Sequence, residues 1–234
     1  MKQLLLAAAA LSLTVAPTPL AAAWAAETKA PPPAASAPAP PPPGAYSLDK
    51  AHGSLLFRVN HLELSHYTAR FSRFDAQLQF DPDHPSAQSV TATVDARSIQ
   101  TDFPLPTPDF DAQLQSAPWL NAAQFPQMSF RSTKIDMTGP TTARILGDLT
   151  LRGVTHPVTL EATFNGGYGA NAFDPMGSRI GFSAHGALKR SDYGMSYGIP
   201  APGTNFGVGA EVEVIIEAEF TRAAAKPGGQ GGGR

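Results

Sequence analysis

The side chains that could bind a metal are six histidines, and their spacing forms no recognisable metal site. None belongs to a His-x-x-x-His pair, which would place two imidazoles on one face of a helix, and no acidic pair stands at ligand spacing. We therefore predict that the histidines are exposed or hydrogen-bonded structural residues and that the protein holds no metal. The six are His52, His61, His66, His84, His156 and His185.

The serines lack the surroundings that would activate a nucleophile. The motif Gly-x-Ser-x-Gly is absent, and Ser54, Ser98, Ser132 and Ser191 have no catalytic base in a recognisable pattern. The sequence also contains no cysteine, which removes thiol nucleophiles, thiolate zinc sites and disulfides. We therefore expect no hydrolase of the serine or cysteine type, and we predict no cofactor.

The segment Arg190-Ser191-Asp192 can be interpreted in two ways. It has the composition of a turn, in which the Asp192 carboxylate accepts hydrogen bonds from backbone amides. Alternatively, the Arg190 guanidinium contacts a pyrophosphate or a carbonyl group of a bound molecule. The formal charge of the whole chain is only −2, so no basic surface for nucleic acid is expected.

The two ends of the 234-residue chain differ in composition from its middle. Residues 1–25 have the charged start, short apolar run and small-residue end of a secretory signal peptide, so we expect export to the periplasm; an uncleaved anchor is the alternative. Residues 26–44 form an Ala/Pro-rich spacer that we expect to be extended and free of contacts. Residues 223–234 form a Gly-rich tail, which leaves one domain, residues 45–222.

The domain alternates apolar and polar residues along most of its length, which is the period of a half-buried β-strand. Near the C-terminus, for example, Val212, Val214 and Ile216 alternate with glutamates. The eight alternating segments are 55–59, 74–80, 90–94, 128–137, 145–151, 158–164, 180–184 and 212–218. Breaks of the pattern near Ser72-Arg73 and Thr133-Lys134 predict bulges that bend the sheet. Short loops favour antiparallel neighbours, and we predict an all-β fold whose eight antiparallel strands either close as an eight-stranded barrel or stack as a sandwich.

Residues 101–125 interrupt the alternation and predict a short helical insert. Thr107 as N-cap and Pro108 in the first turn mark the start of a helix that contains Phe110 and Leu114 at i and i+4. Because the insert is rich in aromatic residues, it forms either a lid over a barrel mouth or a plug that closes one end of an ordinary core.

An eight-stranded barrel either fills its interior with side chains or encloses one ligand, and the sequence does not decide between these outcomes. Because the inward positions are apolar, a hollow barrel would admit a lipid-like chain rather than a sugar or an ion. Burial of a ten-carbon chain would contribute about 8 kcal/mol before ordering costs. The apolar residues that we predict to contact such a ligand are Phe57, Val59, Phe71, Phe80, Val94, Phe110, Trp119, Phe130, Ile145, Phe164, Phe182 and Ala184.

Several motifs occur in an order that resembles one bacterial family. They are Asp49-Lys-Ala-His52-Gly-Ser-Leu-Leu-Phe57-Arg-Val59-Asn-His61, Arg70-Phe71-Ser-Arg73-Phe74, Asp95-Ala-Arg-Ser98-Ile99-Gln-Thr101, Pro126-Gln-Met-Ser-Phe130-Arg-Ser132-Thr133, Gly147-Asp-Leu-Thr-Leu-Arg-Gly153-Val-Thr-His-Pro157 and Arg190-Ser191-Asp192-Tyr193-Gly194. Together they span residues 45–220. In these motifs the sequence resembles the YceI-like proteins, the bacterial polyisoprenoid-binding family.

The resemblance implies a lipocalin-like barrel whose tunnel carries an isoprenoid chain, such as a polyprenyl or quinone tail, in the periplasm and without catalysis. His52 and His61 recur in the opening motif, so we expect one of them at the tunnel mouth beside a polar head group. We select His61 as the ligand-binding candidate, with Arg190 as the second polar candidate. No nucleic-acid partner is expected, whereas peripheral membrane contact and a homodimer stay open. The alternatives are an enzyme that acts on a lipid, an esterase or isomerase, and a structural domain with a filled barrel.

Overall fold

Ten β-strands and one short α-helix make up most of the chain in the computed structural model, which describes residues 39–175 and 177–223. The strands are β1 (Gly44–His61), β2 (Ser65–Phe71), β3 (Phe74–Phe80), β4 (Ser89–Asp95), β5 (Ile99–Gln100), β6 (Gln127–Met137), β7 (Thr142–Leu151), β8 (Val154–Tyr168), β9 (Gly177–Lys189) and β10 (Val208–Ala223). The predicted signal peptide, most of the spacer and the tail beyond Ala223 lie outside the described residues.

The strands form one antiparallel sheet that closes on itself. Its order is β10-β9-β8-β7-β6-β4-β3-β1-β2-β5, and β1 also pairs with β10. The N-terminal part of β1 pairs with β3 and its C-terminal part pairs with β2, so β2 and β3 together occupy one place in the wall. The closed wall therefore has eight strands, which confirms the predicted antiparallel barrel.

The wall bends at the two places where the alternation of the sequence breaks. β2 and β3 are separated by Ser72-Arg73, where the Ser72 amide and hydroxyl both donate to the carbonyl of Ser98 at 3.0 and 3.1 Å. In β6 the register against β7 shifts between Ser132 and Lys134. Such irregularities increase the local bend and twist of a sheet, which a small closed barrel requires.

The insert contains one helix, α1 (Phe110–Gln115), whose start differs from the prediction. The N-cap is Asp109, whose carboxylate accepts a hydrogen bond from the Ala112 amide at 2.9 Å. The expected N-cap, Thr107, lies two residues too early, because an acidic side chain at Asp109 can reach the free amides of the first turn. Among the described residues, no helix has the length and apolar character needed to span a membrane.

The antiparallel order places the connections at two opposite ends of the barrel. We call them the insert end and the base. The insert end carries residues 62–64, 96–126, 152–153 and 190–207, and the base carries residues 81–88, 138–141 and 169–175. A buried cluster lies at each end, one around Leu114 and Leu120 at the insert end and one around Leu78 and Phe80 at the base.

The described part of the Ala/Pro-rich spacer contacts the base of the barrel. The Tyr46 hydroxyl donates to the Pro42 carbonyl at 2.7 Å, and the Gly169 amide donates to the Ala39 carbonyl at 2.7 Å. Tyr46 is almost fully buried. The expectation of a spacer free of contacts therefore does not hold for residues 39–43.

Candidate functional site

A single cavity of about 870 Å³ runs through the barrel from the insert end to the base. All strands of the closed barrel and helix α1 contribute residues to its wall. Apart from Trp119, the lining residues in the described chain that carry polar side-chain groups are His61, Tyr67, Gln88, Gln113, Thr141, Thr159 and Arg190. Because these polar groups are few among many aliphatic and aromatic ones, the cavity suits an apolar ligand.

The structure places all fourteen residues that the sequence analysis selected on the wall of this cavity. They are Phe57, Val59, His61, Phe71, Phe80, Val94, Phe110, Trp119, Phe130, Ile145, Phe164, Phe182, Ala184 and Arg190. The period of two along each strand explains this agreement, since alternate side chains must point to the same face. Contact of these residues with a ligand stays a prediction.

Small side chains in the wall leave space inside the bore. Ala162 of β8 lies directly opposite Ala184 of β9, and Leu160 lies opposite Gly186 two pairs further along. Ala162, Ala184 and Gly186 all line the cavity. The sequence could not distinguish a filled barrel from a hollow one, and the structure has a hollow one.

Aromatic side chains of the insert and of β2 form the wall where the cavity reaches the insert end. The ring of Phe110 lies 5.7 Å from that of Tyr67 in an edge-to-face arrangement and 5.3 Å from that of Phe103. The Tyr67 hydroxyl donates to the Thr101 carbonyl at 3.0 Å. The insert thus combines the two predicted roles, because Leu114 is buried in the core cluster while the aromatic side chains border the cavity.

Asp111 connects helix α1 to the residues that follow β5 through two hydrogen bonds. Its Oδ1 accepts hydrogen bonds from the Thr101 amide at 2.8 Å and from the Thr101 hydroxyl at 2.5 Å. Thr101 is 95% shielded from solvent, so a lost acceptor there would leave two buried donors unpaired. No sequence signal indicated that Asp111 would pair with a residue ten positions earlier.

Arg190 is buried and is used mainly within the protein. Four of its five N–H groups donate to backbone carbonyl oxygens, and its guanidinium lies 5.3 Å from the centre of the Trp119 ring. Burial lowers the pKa of this side chain from its ordinary value. The four acceptors are Met195 at 2.9 Å, Tyr197 at 2.9 Å, Val208 at 2.8 Å and Gly209 at 2.8 Å. These bonds hold the segment before β10 and favour the structural interpretation of the Arg190-Ser191-Asp192 motif.

His61 lies at the edge of the cavity at the insert end. It is the last residue of β1, pairs with Ser65 of β2 and with Val208 of β10, and its side chain is exposed. The position agrees with the expected place at a mouth, where an imidazole can meet both solvent and a polar head group. Tyr67 and Gln113 are the other polar lining residues at this end.

A cluster of ionisable groups on the outside of the barrel is organised by an arginine. Single ligand-type atoms of Asp49, His52 and Glu219 lie within 4.8 Å of one another. Arg179 Nη1 contacts Asp49 at 2.6 Å and Glu219 at 3.3 Å, so a cation of the protein itself already pairs with both acids. Hydrogen bonds from His52 and Arg179 lower the pKa of Asp49 to about 2. The cluster is therefore an ion-pair network between strands, which sequence spacing could not reveal.

Two of the four serines considered as nucleophiles, Ser98 and Ser132, have structural hydrogen-bond partners. The Ser98 hydroxyl donates to the Asp95 carbonyl at 2.7 Å, and the Ser132 hydroxyl accepts from the Val90 amide at 2.9 Å. In residues 39–175 and 177–223, the hydrogen bonds of histidine rings go to carboxylates or to a backbone carbonyl and none goes to a serine hydroxyl. The described chain thus contains no serine–histidine pair of the kind that hydrolases use.

A closed, antiparallel, eight-stranded barrel around one apolar cavity defines a protein of the lipocalin-like type. Residues 46–220 match the model of the YceI-like domain. The chain therefore belongs to the YceI-like family, which confirms the resemblance seen in its motifs. One relative, Protein YceI of Salmonella newport (strain SL254), is 38% identical over 178 residues, which cover 74% of this chain and 85% of the relative.

Solved structures share the fold. BcnA of Burkholderia cenocepacia matches with a TM-score of 0.61 and 23% identity, covering 74% of this chain and 98% of BcnA. A polyisoprenoid binding domain from Saccharophagus degradans, implicated in plant cell wall breakdown, matches with a TM-score of 0.54 and 14% identity. That match covers 76% of this chain and 98% of the domain. At these identities the two structures support the barrel architecture alone.

Proposed function

We propose that this protein is a periplasmic carrier that binds the hydrocarbon chain of an isoprenoid, either a polyprenyl lipid or an isoprenoid quinone, or of another long-chain lipid. The observation that carries the proposal is the apolar cavity of about 870 Å³ inside the barrel. Membership of the YceI-like family supports it, as does the shared fold with a domain named for polyisoprenoid binding.

The size of the cavity sets the size of the ligand. At a liquid-like volume of about 30 Å³ per non-hydrogen atom, the cavity would accommodate roughly 30 atoms, or about six five-carbon isoprene units. Each buried methylene contributes about 0.8 kcal/mol before the costs of ordering the chain. Binding is therefore driven by burial of the chain, and the polar residues at the insert end, His61 among them, select the head group.

Two alternatives are less well supported. A structural domain with a filled barrel conflicts with the hollow interior. A lipid-acting esterase or isomerase would need an activated nucleophile or base beside the chain, and the hydroxyls of Ser98 and Ser132 are hydrogen-bonded to the backbone instead. Hydrolysis of any member of a panel of lipid esters would favour the enzyme.

Native mass spectrometry of the protein purified from bacterial periplasm tests the proposal. We expect an additional mass of several hundred daltons that extraction with organic solvent removes. Fractionation of the same cells checks the location, since a carrier retained in the cytoplasm would contradict the expected export. A protein with no bound mass, which also takes up no isoprenoid alcohol in solution, would refute the carrier function.

A further inference from the structure

Large apolar side chains are exposed mainly at one end of the barrel. Six of the eight such residues in the described chain belong to the insert end, and two belong to the base. The six are Leu64, Phe103, Leu105, Val154, Tyr197 and Phe206, and the two are Met137 and Phe173. Such a concentration at one end is unlike the scattered single exposures that are ordinary for a protein surface.

The two most exposed side chains of this group lie on two segments that are hydrogen-bonded to each other. Leu64 is 82% exposed in the turn between β1 and β2, and Phe206 is 87% exposed just before β10. The two segments are joined, because the Leu62 amide donates to the Gly207 carbonyl at 2.9 Å and Asn205 Nδ2 donates to Glu63 Oε2 at 2.5 Å. The exposed tips are therefore held in place rather than left free.

These tips border the end of the cavity. His61 directly precedes the first segment and Val208 directly follows the second. The two residues pair with each other across β1 and β10, and both line the cavity. Phe103 lines the same end from the insert while more than a third of its surface is exposed. A lipid entering here would pass between exposed apolar side chains.

We propose that the insert end docks on a lipid bilayer by inserting Leu64 and Phe206 into the interfacial region, so that the cavity faces the membrane. The inference rests on the proposed carrier function, because the chain that fits the cavity resides in bilayers. A fluid bilayer accepts separate protruding side chains without the matched contour that a protein partner requires.

The charge of the insert end indicates which membranes it suits. Its loops carry three arginines and five acidic residues, a net charge of −2, so attraction to anionic lipids does not drive docking. Insertion of apolar side chains is the driving force, and zwitterionic membranes suffice. The charged residues are Arg97, Arg152 and Arg190, and Glu63, Asp102, Asp109, Asp111 and Asp192.

Flotation with phosphatidylcholine vesicles tests the docking directly. The double variant Leu64→Ser, Phe206→Ser removes two exposed side chains that are not part of either buried cluster. The matched control is Phe173→Ser, because Phe173 is 90% exposed at the base. We expect the double variant to bind vesicles at least about tenfold more weakly than the unaltered protein, and the control to bind normally. Weaker flotation of Phe173→Ser alone would place docking at the base and overturn the inference.

Uptake of dansyl-labelled farnesol separates a failure of docking from a failure of the carrier function. The probe is delivered once from ethanol and once from the vesicles. Docking is supported if the double variant takes up the probe from ethanol normally but loses most of its uptake from vesicles. Docking is overturned if the unaltered protein takes up the probe from ethanol without binding vesicles, or if the double variant extracts it from vesicles at the normal rate. Vesicle binding without uptake by either route would instead refute the carrier function and leave the docking intact.

Discussion

Replacement of Ala184 by tryptophan would obstruct the bore at a point where the structure leaves it open. Ala184 lies in β9 between Ala162 of β8 and Ile216 of β10, and all three side chains line the cavity. The substitution adds nine non-hydrogen atoms to a space that accommodates roughly 30. An indole at this position leaves no continuous path for a hydrocarbon chain between the two ends.

The expected loss of affinity follows from the length of chain that is excluded. Exclusion of only five carbons would remove about 4 kcal/mol of burial, which corresponds to about a 1,000-fold increase in Kd. The fold should survive, because the indole enters an existing cavity rather than a filled core. We expect the free energy of unfolding to change by less than about 1.5 kcal/mol.

The assay is fluorescence titration with dansyl-labelled farnesol, together with native mass spectrometry of the purified variant. His185→Trp is the matched control, because His185 is the next residue of β9 and its side chain is exposed on the outside of the barrel. The control should bind the probe normally. Equal uptake by Ala184→Trp and by the unaltered protein would mean that the ligand does not follow the bore, and the reasoning from the cavity would be wrong.

Substitutions at three further positions test the packing and electrostatics of the barrel. Tyr193→Phe removes a buried hydroxyl that has no hydrogen-bond partner in the described chain, so thermal denaturation should show a gain of about 1 kcal/mol, and a loss would contradict this. The pKa of Asp49 is lowered to about 2 from 3.8, so its carboxylate stabilises the fold above pH 4 and this contribution is lost as the pH falls towards 2. Asp49→Asn should therefore cost about 1 kcal/mol at pH 7 and flatten the acid limb of a stability–pH curve; an unchanged curve would rule out the ion-pair network as its cause. Asp111→Ala leaves both Thr101 donors unpaired and should cost about 1–3 kcal/mol, with faster hydrogen exchange at the Thr101 amide, whereas Asp111→Asn, which keeps an acceptor, should cost less.

The wall of the barrel was predictable because it depends on a local pattern. A strand with one buried face must alternate apolar and polar residues. This alternation therefore predicted both the strands and the side of each strand that faces the interior. The breaks at Ser72-Arg73 and Thr133-Lys134 were visible for the same reason. The strands β2 and β5 were not among the eight alternating segments, and the two residues of β5 carry no period.

Whether the barrel is filled or hollow was not predictable, because this depends on which small residues lie opposite each other on neighbouring strands. Ala162 and Ala184 are 22 positions apart in sequence and become neighbours only through the register of β8 and β9. The role of Arg190 was hidden in the same way, since two of its acceptors, Val208 and Gly209, come from the start of β10. Because every residue has a backbone carbonyl, the residues that accept hydrogen bonds from a guanidinium in this way cannot be recognised by their side chains.

The cavity is maintained by the backbone of the barrel rather than by the side chains that line it. A void of about 870 Å³ in a close-packed core would cost about 20 kcal/mol at roughly 24 cal/mol per Å³, more than the total stability of an ordinary domain. Two stacked sheets of the same composition could move together and remove such a void. A closed wall cannot, because β1 pairs with β10 as well as with β2 and β3, and an inward movement would break ladder hydrogen bonds on both sides of a strand. The bore is therefore a consequence of closure, and the small residues Ala162, Ala184 and Gly186 determine how much of it a ligand can use.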